Sequence, residues 1–397
     1  MIMRVSLAPV KLRPSLDGQA PAFLASEGAR VILGNASNLD GLVNPIAPSP
    51  STLFGPRGAA LASEEGPLFV SDTGHHRLMI WNKAPAHDGA PADMLIGQPD
   101  FESEGRNAKG DPGPATLNVP TGVSVGGDVL AVADAWNHRV LLWHGMPTRS
   151  NQPADVVIGQ RDFDCILANR GEASAAADTL NWCYGVTIDQ GALWVADTGN
   201  RRVLKWNRIP TGNGTPADLV LGETDFISRD GNAGRAVADI GMTWPHAVTV
   251  VDDRLLVADA GNNRIMVWNE LPAKNGSPCT FVLGQKSFSG IDHNIGAYYP
   301  TAATLNMPYG VACLGDRIVI ADTANSRIVA HERGDLHMFA SAGYLGGQPA
   351  FSDKGDNRWR SARRDSLCWP YGIAACGRTL IVADSGNNRV LLWNTAS

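Results

Sequence analysis

Short runs of β-branched and apolar residues, broken at regular intervals by a polar turn, run through most of the chain. Six such segments align without gaps: LFVSDTGHHRLMIW, LAVADAWNHRVLLW, LWVADTGNRRVLKW, LLVADAGNNRIMVW, IVIADTANSRIVAH and LIVADSGNNRVLLW. Two apolar runs flanking a Gly/Asn-rich turn predict a β-hairpin. The first run ends on Asp72, Asp134, Asp197, Asp259, Asp322 or Asp384, at intervals of 62 or 63 residues. Five residues after each aspartate stands Arg77, Arg139, Arg202, Arg264, Arg327 or Arg389. Upstream of each hairpin is a Pro-x-Gly-like strand start, as in NVPTGV, WPHAV, NMPYGV and CWPYGI. Downstream is a run ending in GQxDF-like sequence, as in MLIGQPDF, VVIGQRDF and LVLGETDF.

Four short strands per repeat, repeated radially, predict an all-β fold: a six-bladed β-propeller of four-stranded antiparallel blades. One such sheet cannot bury both faces, whereas six stacked face to face can. The whole chain, 1–397, reads as one propeller, with blades at about 53–101, 117–163, 180–226, 242–288, 305–351 and 367–395. The last repeat stops at LLWNTAS, short of an outer strand. The segment ARVILGNAS resembles ADMLIGQPD, so residues at about 29–34 are expected to complete blade 6 and close the ring.

The DTGNxRV-type turns resemble NHL repeats, and the resemblance extends from about residue 29 to 395. It implies a six-bladed NHL propeller, here with long insertions between GQxDF and the next Pro-x-Gly. The resemblance leaves function open, because that family includes scaffolds, RNA binders and a few enzymes.

Bulk properties narrow the choice only slightly. A net charge of −6 gives no whole-molecule attraction to nucleic acid or anionic membrane. The start, MIMRVSLAPVKLRPSLDG, reads as neither a signal peptide nor a membrane anchor. Six cysteines without a CxxC pair fit free thiols in a reducing, cytoplasmic setting.

A feature needed six times is usually architectural, so the Asp and Arg of each turn are assigned to structure. The strand Trp and the GQxDF Phe are assigned to packing between blades. Candidate chemistry lies where the repeats disagree. The x of Pro-x-Gly should point toward the axial mouth, and around the ring it reads Arg57, Thr121, Tyr184, His246, Tyr309 and Tyr371. Just before it stand Trp182, Trp244 and Trp369. These residues form either an amphipathic pocket or a plug of mutually bonded rings. The insertion between blades 5 and 6 carries Arg358, Trp359, Arg360, Arg363 and Arg364, a cluster suited to anchoring a partner. Only His246 is axial among the histidines, so neither a metal site nor a cofactor is assigned. No catalytic residue is assigned either, and Cys183 reads as a small buried residue beside the mouth.

The leading expectation is a non-enzymatic scaffold that binds a protein or peptide on the loop-bearing face around the aromatic mouth. The alternative is a propeller lyase or hydrolase, metal-dependent or not, with an axial active site. Third comes single-stranded RNA binding through the 352–366 insertion. No membrane association is expected.

Overall fold

The computed structural model describes residues 20–34 and 47–396. The N-terminal stretch read above for targeting signals lies wholly outside them. Within them are six four-stranded antiparallel sheets. The innermost strands contact one another in sequence order, and the last contacts the first, closing a six-bladed ring. Blade 3 illustrates the unit: Cys183–Asp189, Ala192–Asp197, Arg202–Trp206 and Leu219–Leu221, counted outward from the axis. The two middle strands of each blade are almost wholly buried, and six apolar clusters fill the spaces between successive blades.

Ring closure takes the expected form. Val31–Gly34 pairs antiparallel with Arg389–Asn394 in the register Val31↔Leu392 to Gly34↔Arg389, as the outer strand of blade 6. Leu24 bridges Thr395, and the Trp393 indole donates to Ala25 O at 2.9 Å.

The Asp–Arg turns hold each blade to its insertions. In blade 2, Asp134 Oδ1 accepts from Asn118 N at 2.6 Å, while Oδ2 accepts from Asn137 Nδ2 at 2.7 Å and Arg139 Nε at 2.8 Å. The remaining Arg139 donors bind the carbonyls of Phe163, Gly113 and Thr116, which tie down the insertions on either side of the blade. Contact with the aspartate is through Nε alone rather than bidentate. Burial pushes the Asp134 carboxyl upward, and Arg139, the Asn118 amide and Asn137 oppose that shift.

The turns also join neighbouring blades. Thr73, Thr198 and Thr323 donate to the carbonyls of Pro120, Pro245 and Pro370 in the next blade, at 2.6–2.7 Å. The left-handed residue closing most turns accepts from the backbone just before the next Pro-x-Gly. Examples are His76 Nδ1 from Val119 N and His138 Nδ1 from Trp182 N, both at 3.0 Å. The glycine of Pro-x-Gly is sterically required, since a Cβ on Gly185 would lie 2.4 Å from His246 O of the next blade.

A fourth device clamps the insertions. The side-chain amide of the GQxDF glutamine donates to two carbonyls in four blades. Gln160 Nε2 reaches His138 O at 3.1 Å and Leu167 O at 2.9 Å. Gln98, Gln285 and Gln348 do the same at equivalent places. Blade 3 has Glu223 there, 2% exposed, with Oε1 unpartnered.

Candidate functional site

In five of the six blades the Pro-x-Gly starts the innermost strand with a local break in register. In blade 3 Cys183 pairs with Asp197 and Gly185 with Ala196, so Tyr184 is left as a bulge. Blades 2, 4, 5 and 6 carry the same irregularity. A bulged residue is freed from the ladder and can be re-aimed. Here the bulge turns side chains toward the axis, on the face that bears the Asp–Arg turns and the insertions.

The resulting rings touch. His246 lies 4.1 Å from Tyr309 and 4.9 Å from Tyr184 between centroids, and Tyr309 lies 4.4 Å from Tyr371. The Arg57 guanidinium completes the group, 4.8 Å from the Tyr371 centroid and 5.9 Å from that of Tyr184. Tyr371 is on the adjoining blade 6 but Tyr184 is on blade 3, so Arg57 reaches across the mouth. Thr121 does not join the ring: it is 2% exposed and donates to Tyr184 O at 2.9 Å. Of the two alternatives left by the sequence, contacting rings describe a plug rather than an open cup.

The site is electrostatically lopsided. Burial, and after it the Arg57 charge, lowers the His246 imidazole to about 3, so the ring is neutral at ordinary pH. Burial, followed by the charge and hydroxyl of Tyr371, raises the Tyr309 phenol well above its usual range. Neither group is poised for proton transfer near neutrality. A channel of about 330 Å³ adjoins the rings, lined by inner-strand residues such as Ser124, Thr187 and Thr249. Those three hydroxyls are already committed to backbone partners on neighbouring blades. Cys183 is fully buried beside the ring and donates to Arg139 O, and burial pushes its thiol upward. Among the described residues, no three His, Cys, Asp or Glu side chains converge as metal ligands.

Around the plug stands an exposed aromatic rim. Trp182, Trp244 and Trp369 are 49%, 47% and 38% exposed. Trp182 and Trp369 have left-handed backbones, and Trp182 stacks on His138 of the preceding blade at 6.5 Å. Trp136, which sequence reasoning did not single out, is also exposed and carries Arg106 over its ring at 5.0 Å. Its signal was visible: it replaces the turn glycine or alanine found in the other five repeats.

The arginine-rich insertion divides into two groups. Arg358 donates to Gly347 O and to Asp365, Arg363 to Asp365, and Arg364 to Ala29 O, Arg30 O and Asp88. Trp359 and Arg360 instead project into solvent, Trp359 being 68% exposed. All five insertions share one further device. Asn107, Asn169, Asn232, Asn294 and Asn357 bond Asn137, Asn200, Asn262, Asn325 and Asn387 of the following turns at 2.8–3.2 Å. The constant offset of 30 or 31 residues was the available clue.

A closed ring of six four-stranded blades with an aromatic axial mouth defines the class: the chain is a six-bladed β-propeller, and its repeats are similar to NHL repeats. NHL repeat-containing protein 2 of Gallus gallus is 22% identical to it over 368 residues, or 86% of this chain. The chain spans only 46% of that relative's length. No protein-family model matches. The RRP9 WD40 repeats match with a TM-score of 0.50 at 13% identity, covering 95% of this chain and 99% of that one. Virginiamycin B lyase from Staphylococcus aureus matches with a TM-score of 0.42 at 11% identity, over 86% of this chain and 94% of that one. Structural likeness at such identities speaks to fold alone.

Proposed function

We propose that this propeller is a scaffold that captures a protein or peptide on its insertion-bearing face. One observation carries the reading: the ten exposed large hydrophobic side chains among the described residues all lie on segments of that face. Five of the ten are tryptophans. Scattered apolar residues are ordinary on a protein surface, but their segregation to one face around a mouth is the signature of an interaction site. Tryptophan and arginine also dominate interface energetics, and Trp359 with Arg360 supplies one such pair at the edge.

The RNA reading has less support, because Arg358 and Arg364 are taken up by Asp365, Asp88 and backbone carbonyls, and Arg363 is paired with Asp365. Six unpaired thiols accord with a cytoplasmic setting. No helix among the described residues is long and apolar enough to cross a membrane.

The test is affinity purification from the native source with wild type and a Trp182→Ser, Trp244→Ser, Trp369→Ser variant. Loss of specific co-purifying proteins by a folded triple variant is expected. An unchanged capture profile would overturn the proposal.

A further inference from the structure

We infer that Arg57 is an anion anchor on the propeller axis, seating a carboxylate of an acidic peptide; this deepens the docking reading above and rests on it. Arg57 occupies a position where three of the other five blades place tyrosine, and it extends over Tyr371 and across to Tyr184. The six turn arginines each have a buried carboxylate within 2.9 Å. Arg57 has no acidic partner among the described residues. Its charge reaches the ring, where after burial it is a second cause that lowers the His246 imidazole.

The guanidinium is only half-buried, so its donors remain open to the mouth while its lower surface rests on aromatic faces. A cation held against rings in a partly dry setting attracts an anion more strongly than one in water. The guanidinium also offers parallel donors matched to a carboxylate.

The choice of carboxylate over phosphate follows from the charge count. His246 is neutral, and Arg106 is drawn aside over Trp136, which leaves Arg57 as the cation at the ring. One positive charge suits a monoanion and leaves a phosphate dianion half-compensated. Trp182 and Trp369, each two residues before a ring tyrosine, offer apolar contact to the body that carries the carboxylate.

The test uses the Arg57 Nε–Hε resonance in ¹⁵N-labelled protein, assigned by its loss in Arg57→Gln. The probes are 3-phenylpropionate, its neutral amide and phenyl phosphate. Saturable shifts with the propionate are expected, with at least roughly tenfold weaker response to the amide. Binding measured calorimetrically should fall by a similar factor in Arg57→Gln and by less in Arg57→Lys, which keeps the charge and guards against a folding defect. Equal response to acid and amide, or undiminished binding by both variants, would overturn the anchor. Tighter binding of phenyl phosphate would overturn the carboxylate assignment. If the tryptophan substitutions abolish partner capture while no carboxylate binds, only the anchor fails. If carboxylate binds and capture ignores the tryptophans, the docking surface fails and the anion site stands.

Discussion

Replacing Glu223 by glutamine should stabilise the protein above neutral pH, and the repeat itself provides the control. Four blades use a glutamine amide to hold two carbonyls, at 2.7–3.2 Å. In blade 3 the equivalent carbonyls belong to Arg201 and Asp230, and an ionised carboxylate has no proton to offer them. Burial, with Asp230 and Asp225 nearby, raises Glu223 from 4.5 to about 7. For an acid whose folded pKa is raised, the contribution is fully present below the unfolded pKa and is lost as pH rises through the folded one. That window runs from about 4.5 to about 7. At about 1.4 kcal/mol per pKa unit the full shift corresponds to about 3 kcal/mol, and solvent screening from the exposed Asp225 and Asp230 reduces this to about 2 kcal/mol. Urea denaturation of wild type and Glu223→Gln at pH 5 and pH 8 measures the difference. The variant should gain about 2 kcal/mol more at pH 8 than at pH 5. A gain that does not change between the two pH values would refute the argument.

Other expectations follow from the same contacts. Asp134→Asn leaves the Arg139 guanidinium buried without its counter-charge and should cost about 3–5 kcal/mol in chemical denaturation. Leu33→Ala, in the strand that closes blade 6, should cost about 2–5 kcal/mol and promote concentration-dependent aggregation, read by light scattering. His331 stands where five blades have tryptophan, and burial lowers it to about 4. Its stabilising contribution is therefore present above about 6.5 and lost as pH falls toward about 4. His331→Leu should flatten the pH dependence of the melting temperature in that interval.

Much of the architecture was legible because it is periodic. The Asp-to-Arg spacing fixed six hairpins, and the mismatch between the two chain ends predicted that Val31–Gly34 would join Arg389–Asn394. The direction of Tyr184, His246, Tyr309 and Tyr371 was also readable, since each begins an innermost strand. Their mutual contact was not, because centroid distances near 4 Å depend on how far each bulge tilts its residue. Insertion order escaped notice for a different reason: Asn107 and Asn137 belong to segments 30 residues apart, and their bonding appears only once the ring is built. Internal pairing removed Arg358 and Arg364 from the exposed surface in the same way. The acid beside Arg364, Asp88, comes from blade 1, which adjoins blade 6 in the ring but lies 276 residues away in sequence, so no local pattern connects the two.

The pairing of residues 31–34 with residues 389–392 has a bearing on biosynthesis. Among the described residues, the earliest strand to be synthesised must wait for nearly the last before its hydrogen bonds can form, so the growing propeller carries an unpaired edge until blade 6 is complete. Such long-range contacts slow folding and prolong the exposure of sticky intermediates. Once formed, the same pairing means that neither end can peel away without breaking a blade shared by both. The closing blade thus couples the earliest and latest parts of the ring, so opening it there costs the pairing of both.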